Sequence, residues 1–185
     1  MQNFSRTWLI DRIANGYKPD FLLFWGHTSS DNHTIGSFML SQWYPSSFTV
    51  GGLTYPTAEH WMMAGKASLM GDWKTHAAIM QAVSAKEAKA LGRKVEGFDS
   101  DLWNKHAYQI VIAGNEQKFL QSPPCRNFLL STGDKVIVEA SPVDDIWGSG
   151  HAENHASARN SGQWRGQNLL GFALMEVRER LRKTL

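Results

Sequence analysis

The stretch YPTAEHWMMAGK, residues 55–66, carries a glutamate and a lysine among bulky apolar side chains. Pro56 and Thr57 predict a helix start here, because threonine is a good N-cap and a first-turn glutamate is favoured by the helix dipole. At about 100° per residue, Glu59 and Lys66 fall on one helical face, roughly 10 Å apart along the axis. Two interpretations stay open: an ordinary helix start, or a carboxylate and an ammonium that face one pocket.

A second group of polar residues lies in the C-terminal half of the chain. Glu139 closes the predicted strand KVIVEA, and the glycine-rich loop DDIWGSG contains Asp145 and Trp147. In GQNLLG, Asn168 begins a helix whose free amides could bind phosphate. The charged strand end marks either solvent or a pocket rim. The other two features also have ordinary explanations: a surface turn for the loop and a plain cap for the asparagine.

Several common chemistries lack their sequence signals. The chain has no GxGxxG and no GxxxxGK[ST], which argues against a Rossmann site and a P-loop, and no GxSxG elbow of an esterase. His151 and His155 are four residues apart, but Glu153 is at the wrong position for HExxH and the surroundings resemble a loop. We therefore predict no metal site. Cys125 is the single cysteine, so no intramolecular disulfide forms and a reducing compartment is expected.

Composition suits one domain spanning residues 1–185. The net charge of +2 fits a phosphorylated small molecule as well as nucleic acid. Eight tryptophans are present, and Trp25, Trp103 and Trp147 have the more polar neighbours expected of pocket residues. With no apolar run near the 18 or so residues that span a bilayer, we expect a soluble, cytoplasmic protein without a membrane partner.

These residues must be positioned by a mixed set of elements. DFLLFWG (20–26) predicts a buried strand, and SFTVGGLTY (47–55) a hairpin that turns at Gly51 and Gly52. Helices are predicted at 57–70, 75–83, 84–92, 99–120 and 127–130, and from Asn168 onward. The last helix has an apolar stripe for the core and a basic end that predicts a solvated face, with Arg178, Arg180, Arg182 and Lys183. The expected fold class is α+β, mainly helices packed around a small antiparallel sheet.

The strings YPTAEHWMMAGKA, ALGRKV, KFLQ, LLSTGDKVIVEASPVDDIWGSG and WRGQNLLGFALMEVR occur in this order along the chain. Together they closely resemble the NADAR, or YbiA-like, family over nearly all of residues 21–182. Each string alone is weakly specific, whereas the ordered set is highly specific. The resemblance implies an α+β fold and an N-glycosidase. Some members hydrolyse the ribose–base bond in early intermediates of riboflavin synthesis, and others remove ADP-ribose from guanine in nucleic acid.

The family motifs fall on Glu59 and His60, Lys66, Gly92 and Arg93, Trp103, Lys118 and Phe119, Asp145, Trp147, Gly148 and Gly150, and Gly166, Asn168 and Gly171. Cleavage of a ribose–nitrogen bond passes through an oxocarbenium-like state, which needs a carboxylate near the anomeric carbon. The resemblance implies Glu59 as the leading catalytic carboxylate and Asp145 as the second. The implied substrate-binding residues are Lys66 and Arg93 for phosphate, Glu139 for ribose, Trp25, Trp103 and Trp147 for base and sugar, with Gly148 and Asn168 beside them. No metal or redox cofactor is needed.

The expected partner is a small phosphoribosyl or ADP-ribosyl substrate, with nucleic acid as an alternative carrier of the modified base. A non-catalytic module that binds ADP-ribose or a nucleotide is the alternative of another class. In LSQWYP, Gln42 and Trp43 stand where the family usually has asparagine and phenylalanine, which would reshape the pocket if that asparagine touches ligand. The 151–163 segment is longer than the family pattern and could add a lid or a partner contact. His60 points about a third of a turn away from the Glu59 face, so we expect it to be a structural hydrogen-bonding residue.

Overall fold

The computed structural model describes residues 4–28 and 34–184. Contacts between residues divide the chain into unit 1 (Met1–Ser41 with Pro124–Leu185) and unit 2 (Gln42–Pro123). The expectation of one domain spanning the whole chain therefore stays a prediction. None of the helices in the two described ranges is long and apolar enough to cross a membrane.

Helices and strands alternate irregularly along the chain, as in an α+β protein. In chain order they are α1 (Arg6–Ala14), β1 (Phe21–Phe24), β2 (Phe48–Val50), β3 (Leu53–Tyr55), α2 (Ala58–Leu69), α3 (Trp73–Met80), α4 (Ala85–Gly92), α5 (Ser100–Gln121), α6 (Pro123–Ser131), β4 (Val136–Glu139) and α7 (Leu169–Thr184). Short 3-10 turns occur at Ser37–Leu40, Ala156–Arg159 and Ser161–Gln163. The last two turns lie in the segment expected to be a loop.

Unit 1 is built on a parallel pair of strands. β1 and β4 pair from Phe21 with Val136 to Phe24 with Glu139, and α7 packs on β4. Both strands and the α+β class are confirmed, but this pair is parallel, and the antiparallel arrangement is found in the β2–β3 hairpin of unit 2. A parallel pair brings the carboxyl ends of both strands to one edge of the sheet.

The basic end of α7 differs from the solvated face that its composition predicts. Arg178 is buried, and its Nη1 donates to the hydroxyl of Thr132 (2.8 Å) and the carbonyl of Lys135 (3.0 Å). Burial lowers the pKa of Arg178 to about 10. The expectation was wrong for this residue because the turn before β4 offers acceptors that only a long donor can reach. Arg182 is ion-paired with Asp134 at 2.9 Å.

Unit 2 is organised around α2, which packs against α3, α4 and α5. Thr57 caps α2, accepting a hydrogen bond from the N–H of His60 (3.3 Å). Gly114 of α5 permits close packing, because a Cβ atom there would collide with the indole of Trp61. That indole donates to the carbonyl of Ile110 at 2.8 Å. The predicted hairpin is confirmed, with Gly51 and Gly52 at positive φ in its turn.

Candidate active site

Glu59 lies in the first turn of α2 and is 5% exposed. Its backbone N–H donates to the carbonyl of Gln42 at 3.0 Å, which ties the segment before the hairpin to the start of the helix. The positive end of the helix dipole favours an ionised carboxylate at this position. The fold thus holds an acid in the interior, where its field acts with less screening than at the surface.

His60 uses both ring nitrogens inside unit 2. Nε2 is 3.1 Å from the carbonyl of Ala82, which can only accept, so Nε2 carries the proton. Nδ1 is then an acceptor for the hydroxyl of Thr57 at 2.8 Å. Burial lowers the pKa of His60 and keeps the ring neutral. His60 is therefore a structural hydrogen-bonding residue, as its angular position on the helix suggested.

Lys66 and Trp103, both expected to bind substrate, lie near each other in unit 2. The ammonium of Lys66 donates to the carbonyl of Gly92 at 2.8 Å and lies 5.8 Å from the Trp103 ring. It is closer to Phe98, whose ring centroid is 4.1 Å away. Phe98 is 46% exposed and was missed in the sequence, where its signal was an aromatic residue in the turn before the Asp99 cap of α5. Burial lowers the pKa of Lys66.

Arg93 follows Gly92 and forms the C-cap of α4. Its side chain is exposed, and within residues 4–28 and 34–184 its guanidinium makes no hydrogen bond or ion pair. The backbone of Arg93 is thus next to the carbonyl that holds Lys66, while its charge is available to an anionic ligand.

In unit 1, two of the expected residues lie at the carboxyl edge of the parallel strands. Trp25 directly follows β1 and is 59% exposed, and Glu139 ends β4 opposite Phe24. Ligands of parallel sheets bind outside the carboxyl ends of the strands, so this edge is a candidate substrate surface.

The loop of residues 144–150 is bound to residues 166–170 by backbone hydrogen bonds. Four backbone hydrogen bonds join them: Gly166 N–H to Ser149 (2.9 Å), Gln167 N–H to Asp145 (2.9 Å), Asn168 N–H to Gly148 (2.9 Å) and Leu170 N–H to Trp147 (3.1 Å). Gly148 is buried, and a Cβ atom there would lie 2.8 Å from the carbonyl oxygen of Asp144. The two segments touch at Gly166, where a Cβ atom would collide with the carbonyl oxygen of Gly148, so glycine is required there as well.

Asn168 is fully buried and adopts a positive φ of 55°. Its Oδ1 accepts from the N–H of Glu139 (2.9 Å), and its Nδ2 donates to the carbonyl of Ile137 (2.9 Å). Both halves of the amide are engaged by β4. The structure thus uses the side chain of Asn168 to hold β4 at Glu139, and the substrate contact expected from the sequence stays a prediction.

Asp145 lines an open cleft of about 210 Å³ in unit 1, together with Pro142, Val143, Asp144, Gly150 and Arg165. Asp144 supports the turn by accepting from the N–H groups of Ile146 and Trp147. The carboxylate of Asp145 is exposed and has no partner in the described part of the chain.

Arg165 was not singled out from the sequence, where nothing marks it apart from its place before GQNLLG. Its Nε donates to the carbonyl of Gly150 at 2.8 Å, and its Nη2 donates to the carbonyls of Gly150 and Pro142. The cleft thus pairs a carboxylate, suited to sugar hydroxyls, with a guanidinium suited to anionic oxygens.

The histidines of the 151–155 segment are used locally. Their rings stack 4.3 Å apart, His151 Nε2 donates to the carbonyl of Gln163 (3.0 Å), and His155 Nδ1 accepts from the N–H of Ser157 (3.1 Å). Across residues 4–28 and 34–184, no three His, Cys, Asp or Glu side chains are grouped as metal binding would require.

Comparison with known proteins gives consistent matches. The family model described as NADAR domain matches residues 23–182. N-glycosidase R617 of Acanthamoeba polyphaga mimivirus is 42% identical over 155 residues, which is 81% of this chain and 91% of that protein. Riboflavin biosynthesis protein VVA0006 of Vibrio vulnificus is 32% identical over 178 residues, 96% of this chain and 41% of that protein. The NMR structure of YbiA from E. coli matches with a TM-score of 0.70 at 27% identity, covering 91% of this chain and 89% of YbiA.

Proposed function

Because the chain belongs to the NADAR family, we propose that it is an N-glycosidase that hydrolyses the ribose–base bond of a phosphoribosylated base, such as an early intermediate of riboflavin synthesis. The names of the relatives support the activity: the proteins from mimivirus and from E. coli are named N-glycosidases. The Vibrio vulnificus name supports the substrate class, although this chain matches 41% of that protein's length.

The observation that carries the proposal is the buried carboxylate of Glu59. Hydrolysis places positive charge on the sugar ring and negative charge on the departing base. A carboxylate held away from bulk water stabilises that cation more strongly than an exposed one, and it can take a proton from the attacking water. The cap at Thr57 and the hydrogen bond to Gln42 hold Glu59 in place before substrate arrives.

The anionic end of the substrate is assigned to Arg93 and Lys66. Arg93 is the better phosphate ligand, because its exposed guanidinium has no partner in the described part of the chain. Lys66 shares its ammonium between the carbonyl of Gly92 and the face of Phe98, so it supports the aromatic wall that Trp103 continues. The base is expected to lie against these rings.

Unit 1 carries the other residues for which the family resemblance implies a role. Glu139 is the ribose-binding acid at the end of β4, held through its backbone by Asn168. Asp145 is the second candidate for the catalytic carboxylate. Trp25 and Trp147 supply aromatic surface at the strand edge and in the loop that ends at Gly150.

The test is the release of free base and ribose phosphate from the riboflavin intermediate. We expect turnover by the unaltered protein and a loss of kcat on the order of 10²–10⁴-fold in Glu59→Gln, because the glutamine can neither accept a proton nor balance the cation. Glu96→Gln is the matched control, since it makes the same change at an exposed position of unit 2. Full turnover by Glu59→Gln would transfer the assignment to Asp145, to be checked with Asp145→Asn.

A second substrate is tested in parallel, an oligonucleotide that carries ADP-ribose on guanine. Release of ADP-ribose without cleavage of the riboflavin intermediate would replace the proposed substrate by the nucleic-acid one. Tight binding with no base release from either substrate would show a non-catalytic nucleotide-binding module.

A further inference from the structure

Gln42 and Asn115 form a buried pair of amides next to the start of α2. Asn115 Nδ2 donates to Gln42 Oε1 at 2.7 Å and to the carbonyl of Val111 at 2.9 Å. Gln42 is 8% exposed and Asn115 is fully buried. The backbone carbonyl of Gln42 also accepts from the N–H of Glu59, so the pair is connected to the candidate catalytic acid.

The orientation of both amides follows from their neighbours. The carbonyl of Val111 can only accept, so the Asn115 atom beside it is the nitrogen. That nitrogen also faces Gln42, which must present its oxygen. Flipping either amide would put two donors or two acceptors against each other.

This arrangement leaves one donor group, the Gln42 NH₂, and one acceptor atom, the Asn115 oxygen, without partners in the described part of the chain. Gln42 Nε2 and Asn115 Oδ1 are both buried and have no hydrogen-bond partner among the described residues. Within one amide the oxygen and nitrogen are about 2.2 Å apart, so with the 2.7 Å bond between the amides the two leftover atoms are at most roughly 7 Å apart. A single oxygen atom that bonds to both requires the two amides to be bent toward each other, so that the leftover atoms lie within about 6 Å.

We propose that Gln42 and Asn115 bind one neutral hydroxyl group and that this site positions Glu59. The group must accept from Gln42 Nε2 and donate to Asn115 Oδ1. A carboxylate or a fully ionised phosphate has no proton to donate, and an ammonium has no lone pair to accept with, so these groups are excluded. Two sources have the required chemistry: a bound water molecule and a hydroxyl of the substrate's sugar.

The first measurement does not need turnover. In ¹⁵N-labelled full-length protein, the side-chain amide of Gln42 is assigned through its loss in Gln42→Met. An exchange or NOE cross-peak between this amide and water identifies a bound water. A shift of the amide resonance on addition of ribose 5-phosphate identifies a sugar hydroxyl. If neither is seen, the site does not exist, whatever the outcome for the proposed function.

The second measurement tests positioning and rests on the proposed function. Gln42→Met keeps the length of the side chain without its donors, Gln42→Asn restores an amide, and Gln109→Met is the same change at an exposed position of α5. With bound water, we expect kcat of Gln42→Met to fall about tenfold with unchanged KM, equally on the ribosyl substrate and its 2′-deoxy counterpart. With a sugar hydroxyl, KM should rise on the ribosyl substrate alone. Partial recovery in Gln42→Asn is expected.

The inference is overturned if Gln42→Met matches Gln109→Met in kcat, KM and the pH profile of kcat. An inactive unaltered protein would instead overturn the proposed function, and the spectra of the first measurement would still decide whether the hydroxyl site exists.

Discussion

At the start of α2, the side chains of Thr57, Glu59 and His60 are all buried. The sequence presents Glu59 and His60 as an adjacent acid and base. Hydrogen bonding distinguishes them, because Thr57 and Ala82 occupy both nitrogens of the imidazole, whereas Glu59 is an acid in the first turn of α2, near the positive end of the helix dipole. Glu59 therefore stays the proposed acceptor of the proton from the attacking water, and His60 has a structural role.

The stability of the protein should depend on the protonation of His60. Burial lowers the pKa of His60 in the folded state, so the unfolded state binds the extra proton more readily. The neutral ring contributes to the free energy of unfolding above the ordinary histidine pKa of about 6.5, and this contribution is lost as the pH falls below that value. We expect the free energy of unfolding, measured in urea between about pH 8 and pH 5, to decline less steeply in His60→Gln than in the unaltered protein.

All other histidines remain in that variant, so they provide the internal control for the rest of the pH dependence. An identical decline in both proteins would show that His60 takes up no additional proton on unfolding.

At the scale of elements, the candidate substrate edge of β1 and β4 is held by the residue that precedes α7. Asn168 has a left-handed backbone and bonds to β4 on both sides of Val138. A Cβ atom at Gly171 would collide with the carbonyl of Ile137, so a small residue lets α7 approach the strand. Asn168, Gly171 and β4 together therefore fix the position of Glu139.

Asn168→Ala should destabilise the protein by about 3 kcal/mol. The change removes two buried hydrogen bonds, leaves an N–H and a carbonyl of β4 unpaired, and puts a Cβ-bearing residue without a local hydrogen bond in the left-handed region. The measurement is urea unfolding, with Asn127→Ala on the exposed face of α6 as the control, for which no loss is expected. A loss below about 1 kcal/mol would contradict the positioning role assigned to Asn168.

At the scale of the whole molecule, the charges are close to balanced, with 19 lysines and arginines against 17 acidic residues. The basic end of α7 is not a free cationic surface, because Arg178 is buried, Arg180 pairs with Glu176, and Arg182 pairs with Asp134 and Glu179. Such a distribution does not support strong, sequence-independent binding of phosphate backbones.

Unmodified single-stranded DNA should therefore bind weakly. At an ionic strength of about 0.15 M we expect no saturation below about 100 µM, measured by fluorescence anisotropy of a labelled oligonucleotide. Micromolar binding that falls steeply with added salt would contradict this and favour nucleic acid as the carrier of the substrate. A free dye in the same salt series is the control.

The sequence by itself determined the features that depend on neighbours along the chain. Thr57 and Ser84 begin helices, Gly51 and Gly52 turn the hairpin, and both strands of unit 1 were predicted from their apolar runs. These signals are local, because capping and turn geometry involve residues a few positions apart. The ordered motifs likewise predicted the NADAR family.

Only the tertiary structure decided which partners distant residues have. It pairs β1 with β4 in parallel and buries Arg178 against the turn before β4. It also bonds the side chain of Asn168 to the backbone of β4. It also joins Gln42 to Asn115, which the sequence marked only as a departure from a family motif. These outcomes depend on which donors, acceptors and apolar surfaces meet when the chain folds, and burial makes each unmatched group costly. Residue spacing along the chain therefore does not predict these long-range contacts.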